Sequence, residues 1–269
     1  MAIVNSFIRD KINMTLPGDR GLKSRVEFMQ SIKYTNDLYN RIRALVDDIQ
    51  NSPDTGYGEL TLLSDKYGTD KGSYQNIASD KVHPYSWLPH SYTDIYEVLF
   101  RDIRYDVKNV FECGIGSIDE TIEDNMSKSG VPGASLRMWR DYFPSAEIYG
   151  ADIDKKCLFE EERIHTCWID QTLPEAVNDC FSRINKEFDV IIDDGLHKAE
   201  AAICLFDNSI NYLKEDGIYV IEDLSTQDIY KLQQHFSDKR QYSVKYAIME
   251  TLSNINNNLI IVKKVKSND

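Results

Sequence analysis

Four acidic side chains and a histidine crowd two short segments. FDVIIDDGLH (188–197) carries Asp193, Asp194 and His197, and GIYVIEDL (217–224) ends in Glu222 and Asp223. Continuous apolar runs of this kind read as buried strands, which puts the acids at neighbouring strand ends. Carboxylates gathered in a partly dry cleft repel one another, and a hard divalent cation removes that repulsion. Carboxylate and water oxygens suit magnesium, with Asp194, Glu222 and Asp223 the best-placed ligands. Each acid taken singly could be a helix cap; their density favours a metal. Zinc is disfavoured, because the cluster has no thiolate and one histidine. His197 lies three residues past Asp194. An imidazole titrates near neutrality, so His197 is the candidate base for an attacking hydroxyl. His83 and His90 are further histidines within reach of the same cleft.

A second constellation lies upstream. The run VKNVFECGI (107–115) leads into Gly114 and Gly116, spaced by one residue. Two such glycines let the chain turn sharply and let a ligand approach the backbone. AEIYGADI (146–153) ends in Asp152, where a carboxylate can accept both hydrogen bonds of a ribose diol. Asp170 follows a third short strand and is placed to meet an adenine amino group. The interval from the glycines to Asp152 exceeds the usual ~20 residues of dinucleotide folds.

The elements that must hold these residues follow from the alternation of apolar runs with helical stretches after residue 108. It predicts an α/β fold, a doubly wound, mostly parallel sheet with helices on both faces. Ligands of such sheets bind beyond the carboxyl ends of the strands, where both constellations fall. GASLRMWRDYFP (133–144) reads as a crossover helix, and LIIVKKV (259–265) as a last strand. Residues 59–100 lack periodicity and read as an ordered loop followed by a helix at about 91–103. Apolar residues from Leu22 to Ile49 recur at helical spacing, and Pro53 and Gly56 stop them. Residues 1–58 therefore form a short helical N-terminal region suited to homo-oligomer contacts, and 59–269 the ligand-binding domain.

Bulk composition excludes several classes. A net charge of −13 opposes a nucleic-acid partner, which needs a basic face. Five cysteines without CxxC spacing read as free thiols of a reducing, cytoplasmic compartment. No secretory signal or membrane-length apolar stretch is present.

Seven stretches in order extend these constellations: LSDKYGTDKGS (63–73), ECGIGS (112–117), GASLRMWRDYFP (133–144), GADIDKK (150–156), IDQ (169–171), IIDDGLH (191–197) and YVIEDL (219–224). Together they resemble the metal-dependent sugar O-methyltransferases related to the mycinamicin and tylosin tailoring enzymes. The resemblance implies a class I methyltransferase, Rossmann-like fold, with S-adenosylmethionine and magnesium as cofactors. It places cofactor contacts on Glu112, Gly114, Gly116, Asp152, Asp170 and Gln171. It places metal ligands on Asp194, Glu222 and Asp223, and the base on His197. It also makes the 65–72 segment, with Tyr67 and Thr69, a lid over the cofactor. Leu196 departs from the serine this group often has before the histidine.

For the acceptor, 28 Ile, 19 Lys and 17 Asn against 11 Ala and 12 Arg point to an AT-rich source. That favours a nucleotide-linked hexose or heptose destined for capsule or surface polysaccharide. A natural-product glycoside or a catechol is the alternative acceptor, and a non-catalytic nucleotide-binding regulatory module the alternative class.

Overall fold

The computed structural model describes residues 58–72, 87, 90–128, 130–249 and 256–265. The chain divides into two units, Met1–Asp48 and Ile49–Asp269, and all described residues belong to the second. The helix expected over 21–50, and His83, lie outside the described residues.

Among the described residues, eight strands form one sheet: β1 (Asn109–Cys113), β2 (Glu147–Asp152), β3 (Glu160–Glu161), β4 (Ile164–Trp168), β5 (Phe188–Asp193), β6 (Leu213–Ile221), β7 (Tyr242–Ile248) and β8 (Asn258–Lys264). Their order is β3-β4-β2-β1-β5-β6-β8-β7. The strands β4, β2, β1, β5 and β6 run parallel. Antiparallel pairing is confined to the two ends, where β3 joins β4 and where β8 joins β6 and β7. From β1 the chain winds outward through β2 to β4, then returns to lay β5 on the other side of β1. That reversal is a topological switch point, and it opens a crevice at the carboxyl ends of β1 and β5.

β1 and β5 are buried along nearly all their length, which their unbroken apolar runs anticipate. β7 was not foreseen. Its sequence YSVKYAI leaves most positions wholly or partly exposed, so it lacks an apolar run. It pairs residue for residue with β8 at the sheet edge.

Helices α3 (Ala134–Tyr142), α4 (Pro174–Ile184), α5 (Ala199–Ser209) and α6 (Thr226–Phe236) cover the sheet. Ahead of β1 lie α1 (Glu59–Tyr67) and α2 (Tyr92–Phe100). The helix α1 corrects the loop expected over its residues. Its apolar face is narrow, with Leu60 the buried aliphatic, and Thr61 and Ser64 fill the rest. Tertiary bonds hold it instead: Leu60 N–H donates to Glu97 Oε1 of α2 (2.6 Å), and Thr61 and Thr93 hydroxyls meet at 2.8 Å. α2 is anchored by rings, with Tyr96 edge-on to Trp139 of α3 at 5.3 Å and Phe100 against Phe143 at 5.5 Å. All four side chains are fully buried. No described helix is long and apolar enough to cross a membrane.

Candidate active site

A cleft of about 730 Å³ opens at the switch point. Both constellations read from the sequence reach it. Gly114, Gly116, Asp152, Asp170 and Gln171 line it together with Asp194, His197 and Asp223.

On the β1–β2 side, the polar groups are satisfied mainly by backbone. Gly114 has φ +86°, and a β-carbon there would stand 1.8 Å from the carbonyl oxygen of Asp194. Only glycine fits, because the turns after β1 and β5 touch at this point. Asp152 accepts from the N–H of Ile115 (2.9 Å) and from that of Asp154 (2.8 Å). Each carboxylate oxygen has a second lone pair, so the residue can still accept from a ligand. Burial nonetheless pushes its carboxyl above the usual range, more than these N–H groups lower it. Asp170 Oδ1 accepts from the backbone and hydroxyl of Thr172. Gln171 bridges two loops: Leu196 N–H donates to its Oε1 (2.8 Å), and its Nε2 donates to Asp193 Oδ1 (3.0 Å).

Two of the expected cofactor residues are not brought to the cleft surface. Glu112 lies beneath it, fully buried, with Ser135 donating to Oε2 and the Lys71 ammonium 3.2 Å from Oε1. Tyr67, at the end of α1, instead donates to Asp141 Oδ2 on α3.

The acidic side is built from side-chain charges. Asp194, His197 and Asp223 each present one ligand atom, and the three atoms lie within 4.8 Å of one another. His197 (φ 54°) and Asp223 (φ 53°) both adopt the left-handed region. Non-glycine residues reach it at a cost, which surrounding contacts must offset. His197 Nε2 lies 3.3 Å from Asp194 Oδ1 and 3.8 Å from Asp223 Oδ2, while Nδ1 faces Asp124 at 3.9 Å. Burial disfavours the imidazolium, but these three carboxylates outweigh burial and push its pKa up to about 10.

Glu222 is the member of the expected metal trio that the cleft does not expose. It is buried, accepting from Lys71 Nζ (2.7 Å) and from the Tyr96 hydroxyl. Burial pushes its carboxyl well above the usual range against the pull of Lys71. Asp194 shifts the opposite way. Burial opposes this, but Lys71 and His197 bring its carboxyl down to about 2.

Sequence reading missed three contributors here. Lys71 stands inside the DKGS stretch, yet its reach across to Asp194 and Glu222 follows only from the tertiary fold. Tyr92 and Tyr96, one turn apart on α2, donate to Asp223 and Glu222 respectively. The four-residue spacing of two tyrosines was the available signal. His90, by contrast, reaches the cleft as expected, with Nε2 3.4 Å from Asp223 Oδ1 and its ring stacked on Tyr92.

The acidic side suits a divalent cation. Asp194 and Asp223 offer hard oxygens in a concave, mostly buried setting, with Lys71, His90 and His197 beside them. The opposite side suits an adenosyl group, with an acid beside a glycine turn at the switch point.

Comparison with known proteins agrees with this geometry. No family model matches the chain. A tetracenomycin 3'-O-methyltransferase of Streptomyces olivaceus, acting on the 8-demethyl-8-(2-methoxy-alpha-L-rhamnosyl) compound, is 36% identical over 194 residues. The match takes in 70% of this chain and 43% of that protein. Mycinamicin VI 2''-O-methyltransferase of Micromonospora griseorubida is 34% identical over 159 residues, covering 59% and 38%. The chain therefore matches about two-fifths of the length of these curated relatives. Among solved structures, MycE methyltransferase from the mycinamycin pathway, in complex with Mg, SAH and mycinamycin VI, superposes with a TM-score of 0.57. Identity there is 25%, over 79% of this chain and 56% of that one. The fold is accordingly that of the class I methyltransferases.

Proposed function

We propose that this chain, a relative in sequence and fold of the sugar O-methyltransferases of natural-product pathways, is itself an S-adenosylmethionine-dependent, magnesium-assisted O-methyltransferase acting on a sugar hydroxyl. The observation that carries the reading is the meeting of two half-sites in one cleft. The glycine turn with Asp152 and the Asp194–His197–Asp223 group face each other across the β1/β5 switch point.

When bound, S-adenosylmethionine supplies an electrophilic methyl group, and a divalent cation supplies positive charge that eases loss of the hydroxyl proton. The chain supplies the rest. Asp152 would receive the ribose hydroxyls, and Asp170 would meet the base. Asp194 and Asp223 would hold the cation, with Glu222 behind them. His197 accepts the hydroxyl proton at Nε2. Neighbouring carboxylates hold its pKa up at about 10, and a cation bound by Asp194 and Asp223 would weaken their field at the imidazole and bring it toward the range of a base. The mostly buried walls exclude water and fix the reacting groups, a contribution of roughly 7–11 kcal/mol in well-aligned systems.

The acceptor follows from charge. Among the described residues, seven acidic side chains line the cleft beside Lys71, His90 and His197. A diphosphate would meet repulsion there. The relatives' names describe rhamnosyl and macrolide compounds rather than nucleotide sugars. The nucleotide-linked surface sugar favoured by composition has no support from these names, and the acceptor proposed here is an uncharged glycoside.

Calorimetry with S-adenosylhomocysteine on the wild type and on Asp152→Ala tests the cofactor half. Binding is expected in the wild type and weaker by roughly 10–100-fold in the variant, the range of one hydrogen bond to a charged group. No wild-type binding would end the methyltransferase reading. Methyl transfer with magnesium is then compared on neutral glycosides and nucleotide sugars. Activity confined to nucleotide sugars would reverse the acceptor assignment.

A further inference from the structure

Lys71 is 2% exposed, yet it carries an ammonium group. That group lies 2.6 Å from Asp194 Oδ2, 2.7 Å from Glu222 Oε2 and 3.2 Å from Glu112 Oε1. The three acids come from the ends of three neighbouring strands, β1, β5 and β6. The lysine arrives from outside the sheet, on the segment after α1. Its backbone is fixed there: Lys71 N–H donates to Thr69 Oγ1 (3.1 Å), Thr93 N–H to Lys71 O (3.1 Å) and His90 N–H to Asp70 O (2.7 Å). The far oxygens of the three acids also have partners. Ser135 donates to Glu112 Oε2, Tyr96 to Glu222 Oε1, and His197 Nε2 lies beside Asp194 Oδ1. Glu222 thus has both oxygens engaged away from the cleft, while Asp194 turns one oxygen to Lys71 and the other toward His197 and Asp223.

We propose that Lys71 is a positioning residue, a fixed internal counter-cation that limits the acidic end of the cleft to one divalent ion and aims Asp194 at it. The proposal rests on the metal reading above and extends it to the chain's own residues. Five carboxylates, those of Glu112, Asp193, Asp194, Glu222 and Asp223, cluster at the ends of β1, β5 and β6. That is enough for two ions side by side, as in two-metal sites. A tethered ammonium takes the inner position. The outer one is left to Asp194 and Asp223, with the His197 ring beside them.

The test uses the full chain, with Mn(II) as probe, read by electron paramagnetic resonance, and thermal melting in chelator. Lys71→Met keeps the length of the side chain and removes its charge. The wild type is expected to bind one Mn(II). Lys71→Met is expected to melt several degrees lower in chelator, to recover with Mn(II), and to bind two ions. One ion bound with wild-type affinity, or wild-type melting in chelator, overturns the proposal. If Lys71→Met does not fold, the pair Lys71→Met/Glu222→Gln decides. Removal of one charge of each sign should restore folding in chelator with one ion bound, and failure of that pair to fold overturns the proposal. A wild type that binds no Mn(II) defeats the metal reading, while melting of the variants in chelator still tests the counter-cation.

Discussion

The two walls of the cleft are neutralised by opposite means. On the β1–β2 wall, Asp152 is held by two backbone N–H groups that the turn itself supplies. On the β5–β6 wall, Asp194, Glu222 and Asp223 depend on side chains from other elements: Lys71, His90, Tyr92, Tyr96 and His197. A wall satisfied by its own backbone is complete before ligand arrives and suits an unchanging ligand such as a nucleoside. A wall with excess negative charge is completed by a bound cation, and its protonation depends on what is bound there.

Substitutions can break or sharpen that contrast. The largest effect is expected from His197→Ala, which should lower turnover by roughly 10²–10⁴-fold, the ordinary contribution of a general base. S-adenosylhomocysteine affinity should stay within about twofold, since the imidazole belongs to the other wall. Near-normal turnover would remove His197 from the chemistry, and a large loss of cofactor affinity would erase the distinction between the walls. Gly114→Ala comes next. Its β-carbon would fall 1.8 Å from the Asp194 carbonyl at φ +86°, so denaturant melts should show a loss of about 2–4 kcal/mol. Nucleoside and Mn(II) binding should weaken together, because the residue touches both walls. A loss on one side alone would show that the turns move independently.

The smallest effect concerns a bond outside the cleft. Lys66, Tyr67 and Arg140 all hold Asp141. Burial opposes ionisation there, but these partners bring its pKa down to about 2. A depressed carboxyl stabilises the fold above its unfolded value and loses that contribution as pH falls through about 2. Asp141→Asn should therefore cost roughly 0.2–1 kcal/mol at neutral pH. Its melting temperature should also fall less steeply than the wild type's between pH 4 and 2. Equal slopes would show that the bond does not count. Wild-type S-adenosylhomocysteine affinity in Tyr67→Phe would confirm that Tyr67 ties α1 to α3 without touching the cofactor.

The β1–β2 wall was legible in the sequence because its chemistry is local. Gly114, Gly116 and Asp152 sit at strand ends marked by apolar runs, and backbone groups complete them. The acids of the other wall were legible for the same reason. Their satisfaction was not, since Lys71 lies 123 residues from Asp194 and 151 from Glu222. No periodicity encodes such a partner. The helix α1 stayed hidden because polar side chains and tertiary bonds, rather than an apolar stripe, hold it. β7 stayed hidden because an edge strand open to water needs no apolar run. Glu112 and Tyr67 show the converse, for both sit in the expected motifs while their side chains serve the interior and the α1–α3 contact.

Lys71 also bears on where the autonomous unit begins. By topology alone, the cleft belongs to the sheet, and a boundary just before β1 would seem natural. A fragment cut there would keep Glu112, Asp194 and Glu222 at three neighbouring strand ends and lose the ammonium between them. It would lose Tyr92 and Tyr96 as well. The smallest transplantable module therefore reaches back through α2 to α1. Recombination or domain grafting that respects only the Rossmann-like sheet would separate the acids from the charge that lets them be buried.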